Sequence, residues 1–170
     1  DLGVSDDLDI RGSVTITGQD ANNTFDDGAS TFRVFDVRPG SKATLARLAI
    51  AGGSIDDSGG GVRNEGTLLV TQSTIRDNDA FGDGGGIYNT GRLRVSRSTI
   101  AGNIAFNSGA GIGNAGELQV INSTVSHNRV IDEFMANRGG GLRNTGHFDW
   151  SVIGPNVAGN AFIRVTARDF

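Results

Sequence analysis

The amino-acid sequence predicts an all-β chain wound as a right-handed parallel β-helix, a solenoid with about 25 residues and three short strands per turn and about six turns. Three observations carry this expectation. A glycine-led hexapeptide recurs at Gly59–Asn64 (GGGVRN), Gly84–Asn89 (GGGIYN), Gly109–Asn114 (GAGIGN) and Gly139–Asn144 (GGGLRN), at intervals of 25, 25 and 30 residues. A second element keeps step with it: Ser73-Thr74-Ile75, Ser98-Thr99-Ile100 and Ser123-Thr124-Val125, each followed three residues later by Asn78, Asn103 or Asn128. Between the two lies an alternation of apolar residues, Leu68/Val70, Leu93/Val95 and Leu118/Val120, with Phe148/Trp150 in the same place further on.

Taken along the chain, residues 1–42 form degenerate N-terminal turns, marked by Val14, Ile16, Phe35 and Val37. Residues 43–156 are the regular repeats of a single domain, beginning with a weakened copy at Ala43, Leu45 and Ile50. Within each unit, Leu-x-Val, Ser-Thr-Ile and Gly-Gly-Ile read as strands. Their period is two, they are rich in β-branched residues, and they are too short and too glycine-punctuated for helices. Such units cannot each close a core, so they stack, strand on equivalent strand, about 4.8 Å apart. The handedness follows from the right-handed preference of parallel crossovers. A left-handed β-helix would show a six-residue period, and a leucine-rich repeat would carry one strand and a helical segment per unit. Ser151–Asn156 (SVIGPN) is a fifth copy of the serine element, and residues 157–170 complete the last turn or cap the coil.

On this reading each repeated residue becomes a column. The Leu, Val and Ile columns fill the interior. Ser73, Ser98, Ser123 and Ser151 point inward, where a hydroxyl can bond a turn carbonyl or another hydroxyl. Asn64, Asn89, Asn114 and Asn144 form one ladder at turns, and Asn78, Asn103 and Asn128 another. Asn tolerates the left-handed turn conformation, and its amide can bond the amides above and below. The glycine triplets supply positive φ and close backbone approach at a corner. They are not a phosphate loop, which needs a following helix and, in the Walker form, a Lys-Ser/Thr pair.

Composition narrows the function. Gly makes up 27 of 170 residues and Pro only 2, which separates the chain from Pro/Gly-rich disordered sequence. A net charge of −4 with interspersed signs gives no basic field for nucleic acid. No apolar run approaches a membrane-spanning length, so direct membrane insertion is not expected. With no Cys, disulfides and thiolate metal sites are excluded.

Three sets of residues remain as functional candidates. Asp57, Asp77, Asp79 and Asp83, with Asp56 beside them, gather in the loops of two successive turns, and hard carboxylate oxygens at such spacing suit Ca²⁺. The insertion Arg129–Arg138 brings Asp132, Glu133, Phe134 and Met135, a candidate recognition loop, since insertions on solenoids collect on binding faces. The outward column Thr74, Thr99, Thr124 is the shape an ice-ordering surface would take, but it spans few turns and has no parallel Thr column beside it. His127 and His147 occupy different parts of the repeat and make poor ligands or catalysts. Arg92 should face Glu117 one turn on as a solvated ion pair.

In Ser73–Asn89 (STIRDNDAFGDGGGIYN) and Ser98–Asn114 (STIAGNIAFNSGAGIGN), the order Ile-x-x-Asn-x-Ala…Gly-Gly-Ile resembles bacterial right-handed parallel β-helix repeat proteins of the pectin-lyase-like superfamily. The surface-protein branch with polymorphic outer-membrane-type repeats is the nearest in pattern. The resemblance covers about Ala43 to Asn156 and implies an extracellular, cell-surface or periplasmic location. Enzymes of that superfamily use calcium with a basic residue, or a trio of Asp, and neither set is matched residue by residue here. The leading expectation is therefore a non-catalytic structural or interaction module, an adhesin piece or a subunit docked on a larger assembly, with no resident cofactor. Its partner would be a protein meeting the open ends of the coil, or a carbohydrate. The alternative is a fragment of a polysaccharide lyase or glycoside hydrolase acting on an anionic polysaccharide with calcium.

Overall fold

The structure, a computed structural model, describes residues 7–21, 24–26, 32–131, 139–148 and 164–165; at 24–26, 148 and 164–165 the backbone alone is described. The chain is a parallel β-solenoid of about 5 turns, each of roughly 25 residues, and no helix occurs among the described residues.

Each regular turn contributes to four sheets, not three. The first sheet stacks Ser13–Thr17, Lys42–Ala46, Thr67–Thr71, Arg92–Ser96, Glu117–Ile121 and His147–Phe148 in that order. The second stacks Thr24–Asp26, Ala49–Ala51, Thr74–Arg76, Thr99–Ala101 and Thr124–Ser126. A third is made of two-residue strands, Ser54–Ile55, Asp79–Ala80, Ile104–Ala105 and Arg129–Val130. The fourth runs from Leu8–Ile10 through Phe35–Val37, Val62–Asn64, Ile87–Asn89, Ile112–Asn114 and Leu142–Asn144 to Arg164–Val165. The third sheet escapes sequence reading because two residues cannot display an alternation.

The register is that of the repeat. Leu68 pairs with Leu93 and Leu93 with Leu118; Ile75 pairs with Ile100 and Ile100 with Val125. The degenerate turns obey it too, since Ala43 and Leu45 sit against Leu68 and Val70, and Val14 and Ile16 against Ala43 and Leu45. Alternate residues of each strand point inward, so Leu45, Val70 and Val95 form a fully buried column, as do Ile50, Ile75 and Ile100. At the N-terminal end Leu8 and Val14 are 45% and 36% exposed, and Ile16 is half-buried.

Buried polar residues are arranged as continuous ladders. Asn64 donates its amide to Asn89 Oδ1 at 2.6 Å, Asn89 to Asn114 Oδ1 at 2.6 Å, and Asn114 to Asn144 Oδ1. In the other ladder, the Nδ2 of Asn78 donates to Asn103 Oδ1 at 2.9 Å and that of Asn103 to Asn128 Oδ1 at 2.9 Å. Backbone amides join it: Asn78 N–H donates to Asn103 Oδ1 and Asn103 N–H to Asn128 Oδ1. The serines do the same with one atom fewer, the N–H of Ser73 and of Ser98 donating to Ser98 Oγ and Ser123 Oγ, both at 3.1 Å. All these side chains are inside the coil, satisfied without water, which is the condition for burying them.

The left-handed positions differ from expectation. The Asn residues of the ladders are not among the residues with positive φ; the residue just before each rung of the serine ladder and of the Asn78–Asn103–Asn128 ladder takes it. Gln72, Arg97 and Asn122 precede the serines, and Asp77, Gly102 and His127 precede Asn78, Asn103 and Asn128. The left-handed residue turns the chain so that the next side chain drops inside. The first glycine of each triplet has the positive φ anticipated, as at Gly84 (+68°) and Gly109 (+58°).

Candidate functional site

The third sheet and the bend after it carry the most distinctive outer surface. The backbone N–H of Phe81 donates to Ile55 O, that of Phe106 to Ala80 O, and that of Ile131 to Ala105 O. These three side chains therefore occupy the same place in successive turns. The rings of Phe81 and Phe106 stack with centroids 4.3 Å apart and 7° between planes, yet Phe81 is 60% and Phe106 38% exposed. Ile131 is half-buried and continues the ridge. Beside it runs a second outward column, Ser54, Asp79, Ile104 and Arg129, fixed by strand pairing. Ile104 is half-buried, with the exposed Asp79 one turn below and the exposed Arg129 one turn above. Neither charge has an ion-pair partner among the described residues, and the two lie two turns apart, about 10 Å, with Ile104 between them. The carboxyl of Asp79 is held above its ordinary value by partial burial and then by the nearby Asp77.

The other carboxylates singled out from sequence are committed elsewhere. Asp83 accepts from Ser108 Oγ and, at 3.4 Å, from Arg143, which reaches across two turns and also donates to Ser108 Oγ at 2.7 Å. Gly113 lies between them, where a Cβ would come within 3.1 Å of Asp83 Cβ and 3.3 Å of Tyr88 Cδ2. Asp57 lies 3.6 Å from both Arg33 and Arg63. Asp77 pairs with its neighbour Arg76 at 2.6 Å. Thus Asp57, Asp77, Asp79 and Asp83 share a region of the coil without converging. Among the described residues no three of His, Asp and Glu are grouped so as to hold a metal ion. Asp132, Glu133, Phe134 and Met135 lie outside the described residues, as do Ser151 and Asn156.

Two further polar arrangements are built into the outer surface. Near the N-terminus, Arg33 is buried; its guanidinium donates to Asp36 at 3.1 Å, Asp7 at 2.9 Å and the carbonyls of Ser58 and Gly59. Asp36 is 1% exposed, also lies 3.3 Å from Arg38, and its Oδ1 has no hydrogen-bond partner among the described residues. Burial pushes its carboxyl up, outweighing Arg33, Arg38 and Arg63. Along the turn between the fourth and first sheets, a groove is lined by Thr90, Gly91, Arg92, Gly116, Glu117 and His147. Arg92 bonds Glu117 across it at 2.6 Å, the solvated pair expected, and this bond holds the Glu117 carboxyl below its usual range.

The phenyl ridge had a signal in the sequence: the dipeptide Ala-Phe at 80–81 recurs 25 residues on at 105–106. Reading that segment as an acidic loop hid it. No family model, curated protein or solved structure matches the chain. The parallel β-solenoid itself fits a β-helix repeat protein.

Proposed function

We propose that the protein is a non-catalytic interaction module of the pectin-lyase-like β-helix type, working at a cell surface, outside the cell or in the periplasm as an adhesin piece or a docked subunit. The observation that carries this reading is the stacked, solvent-facing pair Phe81 and Phe106 on the outer surface. Exposing two phenyl rings side by side forfeits apolar burial on the order of 1.5 kcal/mol or more per ring, which contact with a partner recovers. The commitment of Asp57, Asp77 and Asp83 to arginine pairs supports the same reading over an acid–base site, because paired carboxylates serve the coil. The reading assigns no cofactor. The N-terminal edge at Ser13–Thr17 is a second surface on which a protein partner could add a strand.

The test uses a photoreactive phenylalanine analogue placed at position 81 or 106 of the full chain in the producing cell. A discrete cross-linked product is expected from both positions and not from the control position Thr90. Equal, diffuse labelling from all three would sink the interaction reading. Turnover of polygalacturonate or alginate in the presence of Ca²⁺, lost in Asp79→Ala and Asp83→Ala, would instead establish the polysaccharide-cleaving alternative.

A further inference from the structure

The phenyl ridge and its neighbouring column have an order that is complementary to itself. Reading up the coil, one column is Asp79, Ile104, Arg129 and the other is Phe81, Phe106, Ile131. An apolar residue occupies the middle of each, with opposite charges at the two ends of the first. We propose that this face binds a second copy of the chain, the two coils running antiparallel about a two-fold axis at the level of Ile104 and Phe106. The proposal rests on reading the ridge as an interaction surface and names its partner.

A two-fold axis lying in the interface inverts the order of turns while keeping each column opposite its own copy. Asp79 then meets Arg129 of the second copy, and Arg129 meets its Asp79. Ile104 meets Ile104, Phe106 meets Phe106, and Phe81 meets Ile131. Each side chain that is exposed or half-buried in the single coil acquires a partner of matching chemistry. The charges decide the orientation. A parallel two-fold would exchange the two columns and keep each residue at the level of its own copy, so Asp79 and Arg129 would face the apolar column, with Asp79 near Asp79 and Arg129 near Arg129 and no opposite charge in reach, which is disfavoured at an interface. Elsewhere on the surface, opposite charges lie within reach on the same or the next turn, as Arg92 with Glu117 and Arg63 with Glu65, and they pair there. Asp79 and Arg129 stand two turns apart with isoleucine between them and do not pair with each other in the single coil, and the two-fold brings each beside the other's copy. The apolar strip supplies affinity, and the two reciprocal ion pairs at its ends set the register.

The test is sedimentation equilibrium of the full chain with charge-swapped variants. Wild type should show a concentration-dependent monomer–dimer equilibrium. Asp79→Arg and Arg129→Asp alone should each weaken it by about tenfold or more, the scale of a lost charge contact made repulsive. Combined, the two substitutions recreate the pairs with reversed sign and should restore dimerisation to within a few-fold of wild type. Phe106→Ser should abolish it while leaving the far-ultraviolet dichroism unchanged, because the side chain contributes to the outer surface and not the core. A wild-type chain that is monomeric throughout, or a double variant no better than the singles, overturns the proposal. If the photo-cross-link from Phe81 or Phe106 then joins the chain to a different protein, self-association is wrong while the interaction reading stands. If there is no cross-link either, both fall.

Discussion

Asn89 stands at the middle of a buried relay: it accepts the amide of Asn64 and donates its own to Asn114, both at 2.6 Å and both 25 residues away. Its Nδ2 also lies within bonding distance of the carbonyls of Gly91 and Glu117. One side chain thus satisfies two neighbouring turns and part of a corner.

Replacing it removes several partners at once. Asn89→Leu leaves the Asn64 amide and the Asn114 carbonyl oxygen buried without their partners, at about 1–3 kcal/mol for each orphaned group. The expected result is a fall of roughly 3 kcal/mol in urea-denaturation stability, with hydrogen-exchange protection lost first in the turns on either side. An unchanged midpoint would mean that the ladder is decorative.

Gly116 and Gly40 should part company under the same substitution. A Cβ on Gly116 would fall almost on the Gly91 carbonyl oxygen of the turn below, and backbone cannot yield as a side-chain tip can. Gly40 has a φ of +77° and open space around its absent side chain. Gly40→Ala should therefore cost about 1 kcal/mol, the conformational penalty alone, whereas Gly116→Ala should spread adjacent turns and cost several times as much. Thermal denaturation of the two variants side by side measures this.

The buried Arg33–Asp36 pair predicts a pH-dependent defect. With its carboxyl held above the unfolded value of about 3.9, folded Asp36 binds its proton more tightly than the unfolded chain does. Its contribution to stability is therefore most favourable at low pH and declines as pH rises through that window. Arg33→Leu removes the cation that offsets burial, leaving Asp36 with Arg38 alone at close range. The substitution should cost about 3 kcal/mol at neutral pH and distinctly less near pH 4, where Asp36 can be neutral. The double variant Arg33→Leu/Asp36→Leu should recover part of the neutral-pH loss. A defect that is the same at both pH values would contradict the pairing.

Arg92→Ala provides the contrast. Its partner Glu117 is as solvated as it is, with side chains 67% and 53% exposed, so the bond is short but screened. The denaturation midpoint should not move, in low or high salt. A measurable loss would show that the groove it spans has a structural role.

The coil was legible in the sequence because its constraints recur by residue type. Glycine at Gly91 and Gly116 answers the same close approach to the turn below, and the Asn rungs answer the same pair of orphaned groups. What repeats by conformation alone was not legible. Gln72, Arg97 and Asn122 share a left-handed backbone but no single residue type, so their column has no sequence signature. The acidic residues are the opposite case. Asp77, Asp79 and Asp83 are close in sequence, yet Asp77 pairs with Arg76, Asp79 faces outward beside Ile104, and Asp83 turns toward a cation 60 residues away. Sequence proximity says little about convergence when successive residues point to different sides of a narrow coil. The Phe81–Phe106 stack needed only the 25-residue comparison already in use.

The ladder from Asn114 to Asn144 spans 30 residues where the rungs below it span 25, and both strand pairings on either side of the longer stretch are kept. The additional length is confined between Val130 and Leu142. Length is thus metered at 25 residues through the regular turns and slack at a few corners, of which residues 38–41, two longer than the equivalent corners above, are another. A foreign peptide spliced in between Val130 and Leu142 would leave the count of every other turn intact, whereas the same peptide between Leu93 and Asn103 would put every later rung out of step. The coil carries its own map of where it can be rewritten.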